Sequence, residues 1–390
     1  MIFATATRES TLPYEPWRLA GTEARRRAAG DRVEAIQLLR AGSLLLVFFF
    51  HFAGVLSVTT GPAASTATQW ALSWGSLGTN SFLVVSGALG WISCQRAAEP
   101  WTQFARRRIY RLYPSYLAVV SLYLVLSVLF PSQSKFPASW LESGWYLLRN
   151  LILVPGVFPE RPLITVTWAL ALILTFHLLT PGLRKAVAWI AGNGRRETHV
   201  LGLMGLAWVV SCTAWPMLPV RLVFLLAGCL VASSLTEPGR WWGDRRDCFL
   251  AGGASLVIYA CLLNWAPGGV AGLLVSLLGL MALTRASLMS GTTWRMAGPF
   301  VALGNMSYSF YLVHGLSIKF LLVVVLPLVG REWAGWGLAP PALTGAVVSS
   351  IALFRFVEQP GRWPWQTTRP TRTREARVAG SVLHAMAARA

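Results

Sequence analysis

Apolar runs about as long as a bilayer is thick recur along the chain from residue 36 to residue 357, separated by short polar, often Arg-bearing breaks. The pattern predicts ten helices, over 36–58, 75–95, 110–130, 162–182, 199–215, 218–236, 248–265, 268–284, 300–329 and 342–358. The expected fold class is therefore all-α, a polytopic transmembrane helix bundle of about ten spans. One further apolar stretch, WYLLRNLILVPGVF at 145–158, is too short to cross and is broken by Pro155 and Gly156, so it reads as interfacial or re-entrant. Residues 34–362 form one membrane domain, flanked by basic tails over 1–33 and 363–390 that lie near anionic headgroups. The first apolar run starts only after an Arg-rich stretch and lacks a small-residue cleavage site, so the first span is expected to stay in place as an anchor.

Composition agrees with the pattern. The 390 residues are 55% hydrophobic and 13% charged, with 19 Trp and a mean hydropathy of +0.53, values outside the range of soluble domains. The net charge of +19 raises the question of a nucleic-acid partner, but its placement answers it. Arg25–Arg27, Arg106–Arg108, Arg184, Lys185, Arg195, Arg196, Arg245, Arg246 and the arginines after 363 all fall on one side of a ten-helix map. The positive-inside rule makes that side, and both termini, cytoplasmic, and no basic soluble face remains for DNA. The chain is expected in the cell's inner (plasma) membrane. Five scattered cysteines show no ligand or disulfide spacing, so no metal site is expected.

Within LLRAGSLLLVFFFHF (38–52) an arginine and a histidine interrupt the first span. Arg40 and His51 are 11 positions apart, which brings them within about 20° of one helical face and separates them by about 16 Å along the axis. Arg40 then sits at the cytoplasmic rim and His51 near mid-membrane. Packing hydrogen bonds and snorkelling anchors are the structural alternatives, yet ionisable groups this deep commonly face a polar cavity and act there. After the second span, RRRIYRLYPSYL (106–117) carries Arg108, Arg111 and Pro114 as R-x-x-R-x-x-P on the same side as Arg40. At a helix start, two arginines three positions apart can present both guanidiniums to one anion.

The R-x10-H pair, GTNSFLVVSGALG at 78–90, the R-x-x-R-x-x-P element, LGNMSYSFYLVHG at 303–315 and FRFVEQP at 354–360 follow one another in an order that resembles the acyltransferase 3 family of integral membrane acyltransferases. The likeness covers about residues 33–361. Two positions depart from it: Ile173 stands five residues after Trp168 where relatives have an acidic residue, with His177 at a tyrosine position, and Asn80 also replaces an acidic residue.

The resemblance implies transfer of an acyl group, acetyl by family frequency, from cytoplasmic acyl-CoA to a hydroxyl of a cell-surface or periplasmic carbohydrate. A thioester is already activated, so such an enzyme needs a base, oxyanion donors and a donor site. His51 is the expected base, and Arg40, Arg108 and Arg111 are expected to hold the CoA phosphates, with the pantetheine arm lying along the first helix. Tyr308, Tyr311, His314, Glu358 and His177 are candidates for contacting or orienting substrate. Lys319 reads as snorkelling or ion-paired and takes no role; Ser86 beside Gly87 reads as a site of close helix packing. The alternatives are an acyltransferase for a small cytoplasmic acceptor such as an antibiotic sugar, and a transporter of an anionic solute. The latter predicts inverted repeats that the sequence does not display.

Overall fold

The computed structural model describes residues 16–60, 66–96, 100–153, 161–192, 197–214, 220–235, 244–265, 270–289, 298–329 and 335–364. Every regular element among them is helical: α1 (Pro16–Thr60), α2 (Thr66–Arg96), α3 (Trp101–Leu129), α4 (Trp140–Leu151), α5 (Thr167–Ala191), α6 (Glu197–Ala214), α7 (Leu222–Ser234), α8 (Arg245–Trp265), α9 (Val270–Met289), α10 (Gly298–Asn305), α11 (Ser307–Lys319), α12 (Leu326–Val329) and α13 (Ala339–Leu353). Eight stretches are long and apolar enough to cross a membrane, namely Glu34–Thr59, Thr66–Cys94, Trp101–Leu129, Thr167–Ala191, Arg245–Leu263, Ala271–Met289, Ser307–Leu328 and Trp336–Glu358. The other two expected spans coincide with shorter apolar helices, α6 and α7. At 13 residues α7 is about 20 Å long, against a hydrocarbon core of about 30 Å.

Several expected boundaries shift. α1 begins at Pro16, inside the stretch read as a tail. α3 begins at Trp101, nine positions before the expected start, so Arg108 and Arg111 stand in its interior and not at a helix start, and Pro114 lies farther in still. Hydropathy marks where a helix enters lipid; Arg-rich turns are good helix formers and continue it outward. The expected 300–329 helix breaks at Met306 between α10 and α11, and α11 runs into a π-helical turn over Phe320–Val325. A second π turn, Phe354–Glu358, ends the last span. Of the stretch 145–158, residues up to Leu151 belong to α4, and Pro155 and Gly156 lie outside the described residues.

Two apolar cores hold the bundle. Phe48, Phe52, Tyr116, Leu163, Phe310 and Ile318 centre the first, which joins α1, α3, α5, α11 and α13. Leu83, Trp91, Val187, Phe224 and Met281 centre the second, which joins α2, α5, α7 and α9. With lipid as apolar as the side chains, close backbone approach supplies much of the association between spans. α2 and α7 meet through Gly87 and Gly228: a Cβ on Gly87 would strike the Leu225 carbonyl, and one on Gly228 the Val84 carbonyl. α1 and α2 are joined by a Ser43–Ser81 hydroxyl hydrogen bond of 2.8 Å.

Candidate active site

Five helices line two cavities, and four of them, α1, α3, α5 and α11, reach both, α5 through the residues at its head. One cavity encloses about 900 Å³ and is lined by Arg40 of α1, Ser86 of α2, Arg108 and Arg111 of α3, Ile173 and His177 of α5, and Tyr308 and Tyr311 of α11. A second, of about 610 Å³, is lined by His51 and Gly54 of α1, Tyr123 of α3, Thr165 and Val166 at the head of α5, and Gly315 and Lys319 of α11. α1, α3 and α11 run from the first cavity toward the second and α5 runs back, so the cavities lie at successive levels along the bundle.

The Arg cavity brings together six residues singled out from the sequence: Arg40, Arg108, Arg111, His177, Tyr308 and Tyr311. Four of them are held by local contacts. Arg40 donates from Nη1 to Gln37 Oε1 at 3.2 Å, and the Arg108 guanidinium lies 5.1 Å from the centroid of the Phe104 ring. Tyr308 donates its hydroxyl to the Leu112 carbonyl at 2.6 Å, tying α11 to α3 beside the two arginines. His177 approaches the Ser86 carbonyl at 2.9 Å through Nε2. A carbonyl only accepts, so Nε2 carries the proton and Nδ1 keeps a lone pair. Gly90 makes room for that ring, since a Cβ there would press on Cδ2 and Nε2. Glu358 does not line the cavity. Its carboxylate accepts from the Ser309 N–H at 3.2 Å and the Ser309 hydroxyl at 2.6 Å, within the electrostatic reach of Arg111 and Arg40.

His51 and His314 form a pair of their own, with ring centroids 5.2 Å apart and planes tilted by 50°. His314 is wholly buried and hydrogen-bonds the Phe310 carbonyl at 3.1 Å through Nδ1. That bond places the proton on Nδ1 and leaves Nε2 an acceptor with no hydrogen-bond partner. Tyr311 touches His314 at 5.9 Å between centroids, so a chain of three rings leads from the Arg cavity to His51. The face shared by Arg40 and His51 is therefore not one continuous groove. Leu44, Val47 and Phe48 lie between them along α1, each no more than 1% exposed, and Phe310 packs against Phe48 at 6.2 Å.

Lys319, read from sequence as snorkelling or ion-paired and given no role, reaches the His51 cavity. Its signal was present, an isolated lysine in an apolar span. Asn80 lines neither cavity. It is buried in α2, with Oδ1 lacking a hydrogen-bond partner. Ile173 gives the Arg cavity an apolar side chain on the α5 wall.

Comparison with known proteins places this geometry. The family model described as an acyltransferase domain, that of the acyltransferase 3 family, matches residues 33–355. Acyltransferase MdmB of Streptomyces mycarofaciens is 24% identical over 373 residues, covering 84% of this chain and 91% of that protein. No solved structure matches. A family match spanning both cavities and the five helices that line them makes the chain a member of the acyltransferase 3 family, an O-acyltransferase built on membrane-spanning helices.

Proposed function

We propose that the enzyme moves an acyl group, acetyl in the simplest case, from acyl-CoA bound at the Arg cavity to a hydroxyl of a carbohydrate admitted to the His51 cavity. The Arg cavity faces the cytoplasm, where acyl-CoA is made, and the enzyme resides in the plasma membrane. One observation carries the reading: an arginine-lined cavity and a histidine-lined cavity follow one another along one bundle, joined by the rings of Tyr311, His314 and His51.

Arg40, Arg108 and Arg111 offer planar forks that match phosphate oxygens, so they hold the donor's phosphates at the mouth. The pantetheine arm extends along α1 and displaces the Phe48 and Phe310 rings to bring the thioester to the histidine pair. His51, as neutral imidazole, accepts the proton of the acceptor hydroxyl while its oxygen attacks the thioester carbonyl. The C–O bond forms, the C–S bond breaks, and the leaving thiolate takes the proton back from His51. His314 supports the cationic interval, because its unpartnered Nε2 is a lone pair beside the His51 ring. Tyr308, Tyr311 and His177 line the donor's path, and Glu358 balances the charge of the rim arginines when the phosphates are absent.

Transfer of labelled acetyl from acetyl-CoA by membranes of expressing cells tests the division of labour. His51→Ala should retain acyl-CoA binding and lose turnover by roughly 10²–10⁴-fold. Arg40→Ala should chiefly raise the apparent KM for acyl-CoA. A folded His51→Ala protein with near-normal transfer would overturn the assignment.

A further inference from the structure

Beyond Lys319 the His51 cavity gives way to a third, of about 600 Å³, and the two share Lys319 and Tyr123 on their walls. This outer cleft runs between the end of α3 and the π turn that follows α11. Its walls are mostly apolar, with Leu126 and Phe130 on one side and Phe320, Val323 and Val324 on the other, and Ser127 and Gln133 add a polar margin. A π turn widens a helix, and such turns concentrate at functional sites; here it begins at Phe320, the residue after Lys319.

Lys319 stands at the junction with no hydrogen bond or ion pair to any described residue. The nearby cation, Lys135, is already committed: its ammonium donates to the Pro162 and Leu163 carbonyls at 2.9 Å each and to the Thr165 hydroxyl at 3.2 Å. Burial, together with the positive charge of Lys319, pushes the Lys135 pKa down to about 8. Lys135 lines neither cavity, so Lys319 is the ammonium that enters the cleft, where an anion would offset both its desolvation and the nearby charge of Lys135.

We propose that Lys319 is the anion-binding group of this cleft, and that the cleft takes an acceptor borne on a phosphate-linked hydrocarbon chain. The chain lies against Leu126, Phe130, Phe320, Val323 and Val324, the phosphate meets Lys319, and the sugar beyond it enters the His51 cavity. The apolar walls separate this occupant from a free anion, which would gain nothing from them, and the lone ammonium separates it from a neutral lipid. The inference rests on the reading that the His51 cavity receives the acceptor.

Binding of three probes to the full-length protein in a neutral detergent, followed by microscale thermophoresis, tests the proposal without acyl transfer. The probes are farnesyl phosphate, farnesol and inorganic phosphate. Farnesyl phosphate should bind at least about tenfold more tightly than either of the others, because it alone uses both features. Lys319→Met should cut that affinity about tenfold or more and Lys319→Arg should retain it. Val324→Trp, which fills the apolar limb, should weaken farnesyl phosphate and leave inorganic phosphate unchanged. His51→Ala should bind all three as the parent does, so a failed transfer reaction and a failed cleft remain distinguishable. Equal affinity for farnesol and farnesyl phosphate, wild-type binding by Lys319→Met, or phosphate binding as tightly as its farnesyl ester would each overturn the proposal.

Discussion

An arginine that grips a phosphate and one that merely anchors a helix carry the same charge, and what separates them is whether lysine can stand in. Arg108 and Arg111 line the same cavity from successive turns of α3, and a guanidinium offers two parallel donors where an ammonium offers a single point of charge. Replacing both by lysine should preserve insertion and topology yet raise the apparent KM for acyl-CoA severalfold. Replacing both by alanine should cost about 1.5–3 kcal/mol for each charge-assisted hydrogen bond lost. Isothermal titration of the detergent-solubilised variants with CoA would read both; unchanged affinity in the folded alanine pair would remove these residues from the donor site. The meeting of Arg40, Arg108 and Arg111 in one cavity was legible in the sequence, because charged groups toward one end of several spans must converge somewhere away from lipid, whereas the arrival of His177, Tyr308 and Tyr311 in the same cavity was not. The position of His51 in a different cavity was not. Helical periodicity fixes the angle of a side chain on its own helix, whereas the partition between Arg40 and His51 is built partly by Phe310, from a helix more than 250 residues away.

At the scale of elements, the tightest test falls on α7. It is short, its residues from Val223 through Ser234 are almost all buried, and its Gly228 abuts the backbone of α2. A methyl group there meets a carbonyl that cannot rotate away, so Gly228→Ala should lower stability by about 1–3 kcal/mol. Gly202→Ala in α6, where a Cβ meets nothing within 4 Å, should be neutral or stabilising by up to about 1 kcal/mol. Thermal unfolding in detergent compares them, and equal behaviour would contradict the packing of α2 on α7. The existence of most helices was readable from hydropathy, and their ends were not. The start of α3 at Trp101, the break at Met306 and the two π turns depend on backbone hydrogen bonding and on neighbours, which leave no trace in an average of apolar character.

For the whole molecule, the distribution of arginines predicts which end faces which compartment. In a cysteine-free background, Ser139→Cys, exposed before α4, should react with an impermeant maleimide in intact cells, and Asp244→Cys, exposed before α8, should be protected. The reverse pattern would put the Arg cavity on the side without acyl-CoA. Those two positions keep their sides whether α6 and α7 each cross the bilayer or neither does, since two passages restore the starting side. Val220→Cys, at the exposed head of α7, separates these cases: ten spans place it outside, and protection there would reduce the count to the eight long helices.

The wall of Leu44, Val47, Phe48 and Phe310 has a bioenergetic consequence. Two recesses in one bundle would conduct if the wall between them parted, and a membrane holding 100 mV drives each escaping proton with about 2.3 kcal/mol. The wall is aromatic and aliphatic and at or near zero exposure, which opposes a file of water between the recesses and so opposes proton leak. The pantetheine arm and its acyl group carry no charge, so this part of the donor can slip past such a barrier without carrying current. The insulation is thus matched to the cargo.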